Sequence, residues 1–367
     1  MIESTLRGPM LERELAVWLR TLTLLFAAAL LAAGEDPFKA PPDLQAFARK
    51  HTANYQSISG KLASLVRSFF SPQEDGGLGI VYDNVYTRTP IEAWRDRKAN
   101  CLSLTALYVA ACKSIGLEAR YAESLRISRW RRVGGTIRYE RHIVAVVPAG
   151  VAQDLIADFL PEVRRGYHLI ERLDEQRVLA LFHSNRAVEL LAEAQTDAAK
   201  EAARESIRID PGSGVGWNVL GVIQRNQGLA AEAEQSFLRA LKVSPKDGAP
   251  CGNLEDLLRS QGRDQEAQVY RERGLQVRKQ DPFFNAFLAE EALQDNQWKE
   301  ADKRIRQAIK LLPEEPDFYL IQARLALAQG QRKEAIKALE KARKWAMPEN
   351  QPRYDAKLAL LKGESPK

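Results

Sequence analysis

Two prolines 34 residues apart, Pro211 and Pro245, bracket the segment that most narrowly limits how this 367-residue chain can fold. Between them, Trp217, Leu220 and Gly221 form one block at helical spacing, and Ala233, Phe237 and Ala240 form a second. Small residues let two helices approach, and large ones fill the groove between neighbouring helix pairs. The closing proline ends the second helix because it lacks an N–H and clashes with the preceding turn. A hairpin of this length cannot bury its apolar face alone, so at least three must stack.

The segment satisfies nearly every position of the tetratricopeptide pattern, and that resemblance implies an all-α solenoid. Looser copies flank it. Ala199 and Pro211 frame an earlier one, Ala267 marks a third, Ala301, Ala308 and Pro313 a fourth, and Tyr319, Ala323, Ala335, Leu339 and Ala342 a fifth. The expectation is about five helical hairpins over residues 176–367. The third copy departs most, with Cys251 at the large aromatic position and Gly274 where alanine is usual, which leaves its register open. Arrays of this kind bind peptides or protein segments, so the repeats are expected to recruit a protein or peptide substrate or partner. Capping of the preceding domain, or self-association, is the plainer alternative.

The composition, 45% hydrophobic and 28% charged, is that of a globular protein long enough for two domains. The net charge of +6 is spread over both halves and implies no basic tail and no nucleic-acid module. Arg13 and Arg20 precede an uncharged run from Thr21 to Gly34, followed by acidic Glu35 and Asp36. Residues 1–34 therefore read as a secretory signal peptide. The run is shorter than the roughly 20 residues of a membrane span, although extending it back to Leu15 gives an uncleaved anchor and membrane attachment. No cysteine follows to accept a lipid, and Met10 is an alternative start. The body is expected to be exported: periplasmic, or anchored and facing the periplasm or exterior.

Residues 35–175 read as one α+β unit. Leu44, Phe47, Leu62, Leu65, Val66 and Phe69 have helical spacing with a break near Ser59-Gly60. A short extended piece from Ile80 leads to a turn at Thr89-Pro90 and a helix opened by Pro90. A long amphipathic helix is expected from Cys101 to Gly116. Beyond it, LEARYAES, TIRYERHIVAVVPA and VAQDLIADFLP are strand-like and separated by glycine turns. One helix packed on an antiparallel sheet is the economical arrangement.

A thiol at a helix start feels the positive end of the helix dipole, which favours thiolate. Cys101 holds that position, and His142 and Asp158 follow on apolar strand-like runs, giving a candidate Cys, His, Asp set. The ordinary reading of such a cysteine is a small, half-buried residue. His51, His168 and His183 are rival bases by composition, and Asp154 is the rival acid. Asn100, Trp94, Trp130 and Arg141 are candidates for substrate contact. Arg141 closes a cluster with Arg126, Arg129, Arg131, Arg132 and Arg138, whose plainer explanation is a solvated face. Three scattered cysteines make no disulfide framework. With neither CxxC nor HExxH, no metal and no cofactor is expected.

NCLSLTALYVAACKSIGLEARY, RHIVAVV and LIADF resemble the nucleophile helix, histidine strand and aspartate strand of the transglutaminase-like superfamily, which shares its core with papain-like thiol enzymes. The resemblance covers roughly residues 75–165. It implies that Cys101 is the nucleophile, His142 the base and Asp158 the acid that orients it. It also implies a cysteine protease, amidase or acyltransferase acting on an acyl bond of a peptide or protein. The competing expectation is a non-catalytic scaffold whose transglutaminase-like domain is inactive.

Overall fold

The computed structural model describes residues 36–124, 129–133, 136–149, 154–159, 170–346 and 351–363. The expected signal or anchor, residues 1–34, lies outside them. Among the described residues no helix is long and apolar enough to cross a membrane.

The described residues open with α1 (Leu44–Thr52) and α2 (Ile58–Phe70). Their break falls at residues 53–57, slightly before the expected Ser59-Gly60, because the Ser57 hydroxyl caps α2 by accepting from the Gly60 N–H. β1 (Val81–Tyr82) pairs in parallel with β2 (Lys98–Ala99) around α3 (Pro90–Asp96). The expected start of α3 at Pro90 is closed by a capping box: the Thr89 hydroxyl accepts from Glu92 N–H, and the Glu92 carboxylate accepts from Thr89 N–H.

Next comes α4 (Cys101–Ser114), with Gly116 at φ +81° turning the chain out of it. Every residue from Leu102 to Val109 is buried. This helix is enclosed all round by α1, α2, α3 and the sheet, rather than presenting the single apolar face expected of an amphipathic helix. Leu104, Leu107 and Tyr108 are fully buried, each leucine worth about 2 kcal/mol of burial. Tyr108 satisfies its hydroxyl on the Leu62 carbonyl at 3.1 Å.

β3 (Arg120–Ser124), β6 (Ile143–Pro148), β7 (Asp154–Ala157) and β8 (Ile170–Leu173) form an antiparallel sheet in the order β7-β6-β3-β8. Tyr121, Ile143, Ala145, Val147 and Ala157 face α4. The run TIRYERHIVAVVPA is two strands. Among the described residues β5 (Thr136–Glu140) pairs only with β4 (Arg129–Val133), and the chain changes sheets at Arg141-His142. That change of sheet puts His142 immediately before β6.

The remaining described elements are helices. Five antiparallel pairs follow: α5 (Glu175–Ala192) with α6 (Thr196–Ile209), α7 (Gly214–Asn226) with α8 (Ala230–Val243), α9 (Ala249–Ser260) with α10 (Asp264–Lys279), α11 (Pro282–Gln294) with α12 (Trp298–Leu311), and α13 (Pro316–Ala328) with α14 (Arg332–Trp345). α15 (Gln351–Lys362) packs on α14. Gly221 is needed because a Cβ there would meet the Phe237 ring at 2.5 Å. In the third pair, a Cβ on Gly274 would lie 3.1 Å from the Cys251 Cβ. The two departures from the repeat pattern are thus one contact, a small residue facing a small residue, and this resolves the open register. The α+β region leans on the array: α5 closes its core through Val178, Leu181 and Phe182, and β4 lies against α11.

Candidate functional site

Asn100 creates the start of α4. Its side-chain oxygen accepts from the Ser103 N–H and hydroxyl, both at 2.9 Å, which leaves Cys101 as the first helical residue. The backbone N–H groups of that first turn have no intrahelical acceptor. The half-buried Cys101 sulfur is met by the His142 ring and by the N–H groups of Leu102 and Ile143. Burial pushes the thiol pKa up, but the His142 hydrogen bond and charge and these two N–H groups outweigh it, so the net shift is downward.

His142 is buried, with Nε2 2.8 Å from Asp158 Oδ1. With Nε2 engaged by the carboxylate, Nδ1 is the nitrogen left to serve the sulfur. Burial favours the neutral ring, yet the hydrogen bonds and charges of Asp158 and Cys101 prevail and raise its pKa to about 9. Sheet register explains the meeting. Ala145 pairs with Ala157, so the chain leaving β7 at Asp158 lies beside the chain entering β6 at His142. The Thr105 hydroxyl, one turn along α4 from Cys101, donates to the Ile143 carbonyl at 3.0 Å and locks helix against strand. A thiol and an imidazole that shift each other's pKa values are thereby brought together, with the imidazole hydrogen-bonded to a carboxylate, an arrangement that favours a thiolate–imidazolium pair.

The other sequence candidates occupy different surroundings. The Asn100 amide is spent on the cap and on donation to Thr87 Oγ1 at 2.8 Å. Trp94 packs edge-on to Phe47 and under the Arg97 guanidinium. Arg141 joins Glu123 at 3.0 Å to Asp247 at 3.2 Å, a carboxylate bridge rather than an open cationic patch. Trp130 lies on β4, and its side chain is outside the described residues, as are Arg126 and His168. Among the rivals, His51 bonds the Gly76 carbonyl, His183 is buried in α5, and Asp154 pairs with Arg172. Burial pushes the Cys112 thiol up to about 12 and raises that of Cys251, so neither is activated. No group able to hold a metal ion occurs among the described residues.

Sequence reasoning missed Thr87, Ser103 and Thr105, and on the repeats Asn185, Glu189 and Asp247. The spacing Asn100-x-x-Ser103 is the one local signal, that of a helix cap. The others act across contacts that no local pattern announces.

The tetratricopeptide repeat family matches residues 185–248 and 288–350, which exclude Cys101, His142 and Asp158 and also the divergent α9–α10 pair. Several solved structures are similar at low identity. YrrB, a TPR protein with an unusual peptide-binding site, is 18% identical, covering 50% of this chain and 91% of its own, with a TM-score of 0.25. PilF of Pseudomonas aeruginosa is 17% identical over 52% of this chain and 87% of its own, TM-score 0.28. MamA of Desulfovibrio magneticus is 17% identical over 47% and 96%, TM-score 0.26. No curated protein matches the chain. Together, the matched residues and the stacked helix pairs show that the C-terminal half is a tetratricopeptide repeat array, a module for binding proteins or peptides, which follows an α+β region with a small antiparallel sheet.

Proposed function

We propose that this chain is an exported thiol enzyme of the transglutaminase-like type. Residues 35–175 act on an amide or other acyl bond of a peptide or protein, and the repeats over 176–367 recruit that substrate or a partner. The carrying observation is the line from the Cys101 sulfur through the His142 ring to Asp158. The thiolate attacks the acyl carbon, and the Cys101 N–H at the start of α4 stabilises the oxyanion. Protonated His142 gives its proton to the leaving group, which departs as the thioester forms. Water or an amine, deprotonated by His142, then releases the acyl group and regenerates the thiol. Water is the preferred acceptor because it is the abundant one. Export rests on Arg13, Arg20 and the uncharged run after them.

The repeat-only family match supports a second reading, a binding scaffold in which the α+β region is silent. Incubation with p-nitrophenyl acetate separates the two. The enzyme reading expects an acetyl adduct on Cys101 by intact-mass measurement, absent in His142→Ala, and partition of the acyl group to hydroxylamine. The scaffold reading expects no adduct. It also expects partner capture that survives Cys101→Ala and is lost when Trp217 is replaced by alanine.

A further inference from the structure

The repeats touch the candidate site at two separate places. On the nucleophile side, Thr87 is buried, and its hydroxyl accepts from Asn100 of the α4 cap at 2.8 Å and from Asn185 on α5 at 3.2 Å. The Thr87 N–H donates to Glu189 on α5 at 2.7 Å, and Glu189 is held in turn by Arg186 at 3.0 Å. The next residue, Arg88, donates its N–H to the Ser103 hydroxyl, which itself bonds to Asn100. The loop that holds the start of α4 is therefore hydrogen-bonded as closely to the first repeat pair as to its own domain. On the base side, Arg141, immediately before His142, is ion-paired with Asp247 between α8 and α9.

We propose that Asn185, Glu189 and Asp247 are positioning residues for the Cys101–His142 pair, and that the repeat array completes the site rather than hanging from it as a tether. This rests on the thiol-enzyme reading above. Cys101 follows the cap that the first pair holds, and His142 follows the arginine held between the second and third pairs. A change of angle between those pairs moves sulfur and ring relative to one another. Glu189 reaches the start of α4 through Thr87, which bonds Asn100 directly and precedes the Arg88 N–H that bonds Ser103, and Asp247 reaches His142 through Arg141.

The test is the rate of Cys101 alkylation by iodoacetamide as a function of pH on the full chain, with far-UV circular dichroism as the fold control. Wild type is expected to label at mildly acidic pH in a way that His142→Ala abolishes. Glu189→Ala is expected to raise the midpoint of the profile by about one unit, a roughly tenfold loss of rate at pH 6. Glu189→Gln keeps an oxygen acceptor for the Thr87 N–H and is expected to restore most of the loss. Asp247→Asn leaves the carbonyl that caps α9 at Ala249 but removes the charge paired with Arg141, and a roughly threefold loss is expected. It serves as the independent arm if Glu189→Ala does not fold. A wild-type profile that depends on His142 but is unchanged in every folded variant overturns the positioning role alone. A wild-type thiol no more reactive than an ordinary cysteine overturns the enzyme reading, and the positioning role with it.

Discussion

The hydroxyl of Thr105 donates to the Ile143 carbonyl across the interface of α4 and β6 at 3.0 Å, one turn beyond Cys101 and one residue beyond His142. It sits where a small slip separates sulfur from ring. Thr105→Val keeps the side-chain shape but leaves a buried carbonyl without its donor. Unfolding in urea is expected to show a loss of about 1–3 kcal/mol. Alkylation of Cys101 is expected to slow more than in a distant variant of equal stability loss.

Stability against pH carries a signature of the pair. The His142 pKa is raised, so its contribution is complete below the ordinary value of 6.5 and lost as pH climbs toward about 9. The Cys101 pKa is lowered, so its contribution has the opposite sign: present above the ordinary thiol value of about 8.5 and lost as pH falls through the folded one. Between pH 6.5 and 9 the two slopes oppose each other. Cys101→Ala removes the thiol's slope and leaves the part of the His142 shift that Asp158 sustains, so the stability of wild type minus that of Cys101→Ala is expected to grow with pH across this window. Urea midpoints at half-unit intervals check it, and a flat or falling difference contradicts it.

His183 on α5 behaves in the contrary way. Buried, with Nδ1 unpartnered among the described residues, it is held neutral by desolvation, and its pKa falls to about 4. The unfolded chain takes up the proton first as pH drops below 6.5, so the folded state loses stability down to about pH 4. The effect is on the order of 3 kcal/mol. His183→Gln is expected to lessen the acid sensitivity of the first repeat pair, followed by thermal melts at pH 7 and 4.5.

In the second repeat pair, Gly221→Ala drives a methyl into the Phe237 ring, which is fully buried and cannot swing aside. Overpacking of this kind costs about 1–3 kcal/mol. Calorimetry is expected to show a lower melting temperature, and pull-down a loss of partner capture.

Local chemistry was the legible part of this chain. Thr89-Pro90 with Glu92, Asn100 before Cys101, and the prolines and small residues of the second repeat each mark an element end or a close approach, and the structure has elements there. β4 was not legible because RWRRV lacks apolar alternation. The change of sheet at Arg141-His142 was hidden inside one continuous strand-like run. Thr87 to Glu189 spans 102 residues, and Arg141 to Asp247 spans 106. Such pairs exist only once two separately coded units dock, so neither periodicity nor turn chemistry points to them. For the same reason, Arg141 and Asn100 read as substrate contacts in the sequence although both are occupied in the fold.

The most direct measurement is the pH profile of Cys101 alkylation in the wild type, His142→Ala and Asp158→Asn. A thiolate–imidazolium pair predicts rapid labelling that persists to mildly acidic pH in the wild type. In His142→Ala the midpoint should return to that of an ordinary thiol near 8.5, and it should lie between the two in Asp158→Asn. A wild-type midpoint at the ordinary thiol value, or a depressed one that is indifferent to loss of the His142 ring, would contradict the account.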